Sequence, residues 1–129
     1  MNTPSFNPEK NYLVYVLDMA EATGRIESYC RGVDEAVFSH DTQLQDAVIR
    51  CFQIIGEAAG KMPEELRTQF PKIPWRKIVA LRNLIIHDYA HVAYNEVWRV
   101  IQEDIPELRE NIEQMKASLE KSKADQNKL

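Results

Sequence analysis

A chain of 129 residues suits one domain and can bury roughly two-thirds of the surface that its unfolded form exposes, so its core requires neither a disulfide staple nor a structural metal. No apolar run approaches the roughly 18 residues that cross a bilayer, and Met1-Asn2-Thr3-Pro4-Ser5 lacks the basic-then-apolar pattern of a secretory signal; membrane and secreted classes are set aside and the cytoplasm is the expected location. The net charge of -4 argues against a uniformly basic nucleic-acid binder, but it is unevenly placed: residues 1–60 carry 4 basic and 9 acidic side chains, residues 61–82 carry 6 and 2, and residues 83–129 carry 6 and 9.

Helix signals succeed one another along the chain, and strand signals are nearly absent. Asn7 before Pro8 has the form of an N-cap with proline at the first helical position, and Tyr12, Val16, Met19, Thr23, Ile26, Cys30 and Val33 continue at helical spacing. Gly32 or the acidic Asp34-Glu35 pair is expected to end this first helix. His40 reads as a solvated loop histidine. Thr42 with Gln45 forms a capping-box pattern, and Leu44, Val48, Cys51, Ile55, Ala58 and Met62 line one face of a second long helix. Cys30 and Cys51 fall on these apolar stripes, where free thiols act as small hydrophobes; a disulfide is not expected. Gly56 sits inside the second helix at a cost of about 1 kcal/mol relative to Ala, which points to close packing of a neighbouring helix.

Pro63 starts a short helical turn through about Arg67 or Thr68, and Pro71 and Pro74 break the chain before a helix that starts at Pro74 and Trp75. This helix carries Arg82-Asn83-Leu84-Ile85-Ile86-His87 and runs into Asp88-Tyr89-Ala90-His91. Arg offers a planar fork of donors for a phosphate, and imidazole both takes and gives a proton near neutrality. Asn83 and His87 lie four apart on one helix face, so the Asn amide can orient the imidazole, with Arg82 one position to the side. The basic window of Lys61, Arg67, Lys72, Arg76, Lys77 and Arg82 leads directly into this motif, and Lys72, Arg76 and Lys77 are its candidates for holding a phosphate backbone. His91 reads as an ordinary loop residue, and Trp75 and Trp98 as core or interface anchors rather than base-stacking platforms. Tyr94 through Gln102 form another helical stretch, and Ile105, Leu108, Ile112, Met115 and Leu119 make the last stripe, with a polar end from Ser122 to Leu129 expected to fray. No His-Glu-x-x-His run or paired carboxylate cluster offers a metal site, and no Gly-rich phosphate loop appears. The expected architecture is all-α: one domain over 1–129, an up-and-down bundle of about five helices, with two long antiparallel helices packing against the motif helix.

The stretch Ile54-Ile55-Gly56-Glu57-Ala58-Ala59, then Pro71-Lys72-Ile73-Pro74-Trp75-Arg76-Lys77-Ile78, then Leu81-Arg82-Asn83 through His87-Asp88-Tyr89 and Val92 resembles the HepT-like family of the HEPN superfamily. The likeness continues through Glu96-Val97-Trp98 and Ile105-Pro106-Glu107-Leu108, and covers about residues 9 to 118. The resemblance implies a helical, homodimeric ribonuclease toxin of a type VII-like toxin–antitoxin pair, and the lack of a metal-ligand pattern in the sequence leads us to expect chemistry without metal or other cofactor. It further implies that Arg82 and His87 are catalytic, that Asn83 supports them, and that Tyr89 accepts AMP from a small nucleotidyltransferase antitoxin of the MntA type. The chain lacks the Gly-Ser and paired-aspartate signature of such nucleotidyltransferases, so it is not the modifying partner itself.

If RNA is cut without metal, the ribose 2'-hydroxyl is the natural nucleophile. One histidine cannot conveniently serve both sides of phosphorus, which is a physical reason to expect the homodimer; Trp75, Trp98 and the apolar stripes also suggest adhesive surface. Two other readings compete: a non-catalytic helical dimer that binds RNA or a nucleotide through the same basic face, and an interaction module whose motif only organises an interface. Production of new RNA ends separates the enzyme from both.

Overall fold

The computed structural model describes residues 4–87 and 92–127, with the side chains of residues 84–87 outside that description. Among the described residues there are seven α-helices and no strand: α1 (Leu13–Cys30), α2 (Glu35–His40), α3 (Thr42–Gly60), α4 (Glu64–Gln69), α5 (Trp75–His87), α6 (Tyr94–Glu103) and α7 (Ile105–Asn127). Five of them span ten residues or more, in keeping with the expected bundle of about five, and α2 and α4 are six-residue helices between the long ones. Helix α1 packs along α3 and α7, α5 rests on α3, and α6 touches α2 and α7.

The core explains this arrangement. Val16, Met19 and Ile26 of α1, Val48, Ile49 and Ile55 of α3, and Ile105, Ile112 and Met115 of α7 are all withdrawn from water in a single cluster. Each such side chain stabilises the fold by about 1.5–3 kcal/mol relative to the exposed state. Thr23, buried on the same face of α1, returns its hydroxyl to the carbonyls of Met19 and Ala20 at 3.0 Å each, and among the described residues no buried side-chain donor or acceptor is left without a partner. Across the α1–α7 contact, Arg109 donates to Glu27 at 3.1 Å.

Several helix ends differ from the expectations above. Asn7 and Pro8 do not open α1: the Asn7 side chain accepts from the Glu9 N–H at 3.0 Å and its carbonyl accepts from the Lys10 N–H at 3.0 Å. That is the local turn with which an Asn side chain competes against helix initiation, and α1 begins only at Leu13. Its other end is as expected: the helix stops at Cys30, and Gly32 adopts φ +73°, the left-handed conformation that glycine tolerates. Asp34 does more than end α1. Its carboxylate accepts from the Val37 N–H at 2.9 Å and so starts α2, which sequence reading missed.

The capping box at Thr42 and Gln45 is displaced by one residue. Asp41 is the N-cap, accepting from the Leu44 N–H at 3.0 Å, while Gln45 donates its side-chain amide to the Phe38 carbonyl at 2.9 Å and ties α3 to the end of α2. His40 is exposed as expected, but it is the last residue of α2 rather than part of a loop. Phe38 in turn meets the rings of Tyr94 and Trp98 with centroids 6.2 and 5.2 Å away, which fastens α6 to α2. At the C-terminal end α7 continues from Ser122 through Asn127, over residues expected to fray. Residues 122–127 are exposed to water.

Candidate active site

Arg82 owes its position to a missing side chain on the neighbouring helix. A Cβ built on Gly56 of α3 would stand 2.3 Å from the Arg82 Cβ, 2.8 Å from its Cγ and 3.0 Å from its Cδ, the first two closer than such atoms can approach. The expected close packing at Gly56 is therefore present, and the side chain that occupies the space is Arg82. From there the half-buried guanidinium donates through Nε and Nη2 to the Asn83 Oδ1 at 3.3 and 2.9 Å. No carboxylate pairs with Arg82 among the described residues.

Beside this contact lies an open groove of about 1010 Å³, bounded by the C-terminal end of α3, by α4 and by α5. Lys61, Arg67, Arg76, Lys77, Arg82 and Asn83 contribute to its walls, with Glu57 and Glu64 among them. Helical periodicity places Arg76, Val79, Ala80 and Asn83 along one face of α5, and all four line the groove. The ion pairs found among the described residues lie on α1, α6 and α7: Arg25 with Glu21, Arg99 with Glu96, Glu103 and Asp104, Arg109 with Glu27, and Lys116 with Glu113. The groove cations are left out of those pairs, so their field is available to an anion.

A clamp holds the groove open. Arg67 donates to the carbonyls of Met62 and Ala59 at 3.0 and 2.9 Å, which helps satisfy acceptors at and just beyond the end of α3. Its guanidinium also lies 5.9 Å from the centre of the Trp75 ring. The Trp75 indole N–H donates to the Arg67 and Phe70 carbonyls at 3.2 and 3.1 Å, which anchors the start of α5 against α4. Trp75 is therefore a buried anchor, as expected, and it adds no adhesive surface. Arg67, read from the sequence only as part of a basic window, serves here as a brace.

The remaining site residues divide into three groups. Arg76 and Lys77 are exposed on the groove wall, whereas Lys72 is exposed in the turn before α5 and does not line the groove. His87 is the last described residue of α5, and the backbone places position 87 one helical turn beyond Asn83; its side chain, and hence the expected Asn83–imidazole contact, lies outside the description. Tyr89 and His91 lie outside the described residues. Glu57 and Glu64 were not singled out by sequence reading. Their only signal was position, Glu57 directly after Gly56 and Glu64 directly after Pro63.

The chain is similar to known proteins over most of its length. The sequence pattern of the family described as ribonuclease HepT-like matches residues 19–115. A protein named probable ribonuclease HepT from Thermococcus cleftensis is 35% identical over 108 residues, covering 84% of this chain and 98% of its own length. Proteins provisionally named RNases from Caldanaerobacter subterraneus and Methanocaldococcus jannaschii are 34% and 30% identical, covering 89% and 81% of this chain and 96% of each relative. No solved structure gives a significant match.

Proposed function

The chain belongs to the ribonuclease HepT-like family, and from that membership we propose that it is a metal-independent endoribonuclease, the toxin of a type VII-like toxin–antitoxin pair. The observation that carries this reading is Arg82, seated on the wall of a basic groove with its guanidinium aligned by Asn83 and no carboxylate partner among the described residues. A cation left in that condition is suited to the non-bridging oxygens of a phosphodiester, where extra negative charge gathers in the transition state.

In the proposed reaction the ribose 2'-oxygen attacks the adjacent phosphorus while an imidazole removes its proton. The bond to the 5'-oxygen breaks, and that oxygen takes a proton from an acid on the far side. His87 supplies the base, and a second copy of His87 from a homodimer supplies the acid, since the two protons lie on opposite sides of phosphorus. The products are a 2',3'-cyclic phosphate and a 5'-hydroxyl. Arg76 and Lys77 hold the flanking backbone, with Lys72 a peripheral contact beyond the groove.

Neutralisation follows from the same chemistry. A cognate small nucleotidyltransferase transfers AMP to the Tyr89 phenol, releasing pyrophosphate from ATP. The attached nucleotide then fills the RNA path and offers its own phosphate to Arg82. The test is to incubate purified protein with RNA in excess EDTA and sequence the new ends. Cleavage with 2',3'-cyclic phosphate ends is expected. Binding without new ends would favour a non-catalytic RNA-binding dimer, and strict dependence on added divalent metal would overturn the mechanism.

A further inference from the structure

We infer that Gly56 is a positioning residue for Arg82: the absent side chain on α3 sets the height at which the guanidinium enters the groove. The inference rests on the reading of Arg82 as the group that meets the scissile phosphate, and it concerns a residue on a different helix, 26 positions earlier in the chain.

The geometry leaves little room for another explanation of this glycine. Its backbone is ordinary right-handed helix, so glycine is not there to permit a positive φ, which occurs only at Gly32 among the described residues. Helix propensity argues against it, since alanine is the better residue at an interior position. What a methyl group would meet is the stem of one side chain, Cβ, Cγ and Cδ of Arg82 in succession, at 2.3, 2.8 and 3.0 Å. The nearest of these is a Cβ fixed to the α5 backbone, so it cannot turn aside as the end of a flexible side chain could. The α3–α5 contact must open or α5 must shift, and either change moves Arg82, together with Asn83 on the same helix, relative to the α3 and α4 walls of the groove.

Gly24 provides the contrast. It too lies inside a long helix, but a Cβ there would meet only the far end of the Arg109 side chain at 3.8 Å, an ordinary contact. Substitution at Gly24 therefore reports the general effect of replacing a helical glycine, and substitution at Gly56 reports that effect together with the displacement of Arg82.

The experiment compares wild type, Gly56→Ala, Gly24→Ala and the pair Gly56→Ala with Arg82→Gly, following RNA cleavage kinetics and thermal unfolding of the full chain. Gly56→Ala is expected to fold and to lose about 100-fold in kcat with KM within about threefold, the signature of a misplaced group that acts in the transition state. Gly24→Ala should cut at the wild-type rate. Because Arg82→Gly removes the Cβ that the new methyl strikes, the pair should melt higher than Gly56→Ala alone, and this arm remains readable even if the single variant fails to fold. A folded Gly56→Ala with wild-type kcat, a loss confined to KM, or a pair that melts no higher than the single variant would each overturn the inference. Absence of cleavage by wild type would instead reject the ribonuclease reading, while the thermal arm would still test the contact.

Discussion

An arginine whose stem packs against a glycine and whose guanidinium is hydrogen-bonded to the next residue's amide oxygen has few directions open to it, and that restriction is the residue-scale basis of the proposed chemistry. Tyr89 carries the corresponding prediction for regulation. Co-expression with the proposed cognate nucleotidyltransferase is expected to add one or more AMP masses to wild type and none to Tyr89→Phe, measured by intact mass; equal gain in both would exclude this tyrosine as the acceptor. The two thiols make a separate prediction. Burial pushes Cys30 and Cys51 above their ordinary value of 9.0, with the neighbouring Cys51 adding to the rise at Cys30, so both stay neutral in the fold. Since the folded state holds these protons more tightly than the unfolded chain, the associated stability is complete below pH 9.0 and is lost as pH rises beyond it. Iodoacetamide at neutral pH should leave both thiols unmodified until denaturant is added; rapid labelling of the native protein would contradict their burial.

At the scale of elements, the structure separates two neighbouring residues that the sequence presents as near equivalents. Asp41 and Thr42 both belong to the N-cap repertoire, and only hydrogen-bond geometry reveals that Asp41 holds the start of α3. Asp41→Ala is expected to cost about 1 kcal/mol in chemical denaturation, whereas Thr42→Ala should change stability by less than about 0.5 kcal/mol. The long helices were legible because their apolar residues recur at helical spacing over many turns, as at Val16, Met19, Thr23 and Ile26. Helix α2 was not, because a six-residue helix has too few turns for periodicity and its one clear signal, Asp34, also suits a helix stop. The site divides in the same way. Arg82, Asn83 and His87 are adjacent in the chain and could be read there, but the seat of Arg82 on Gly56 depends on the register of two helices, and the brace of Arg67 and Trp75 depends on how a loop folds back. Such pairings leave no local pattern.

At the scale of the whole molecule, charge is segregated. Ion pairs join acids and bases on α1, α6 and α7, while the groove beside α5 keeps cations outside those pairs. RNA affinity should therefore fall with added salt, and a charge-removing change at Arg76 or Lys77 should flatten that dependence, as measured by binding titrations at several salt concentrations. The acid–base argument also needs two copies of His87 in one cleft, so sedimentation at micromolar concentration is expected to give a dimer; a monomer that still cuts RNA would remove that part of the mechanism. Adhesive surface for such a dimer does not come from Trp75, which is buried; the large apolar side chains left exposed include Val14 and Leu17 on α1 and Val37 on α2.

The most direct measurement is turnover of a single-stranded RNA by wild type, Arg82→Ala and His87→Ala, each first shown to be folded by circular dichroism. The account predicts new RNA ends from wild type and a fall of roughly a thousandfold or more in kcat for each variant, with helical content unchanged. A folded His87→Ala or Arg82→Ala that cuts RNA at the wild-type rate would contradict it.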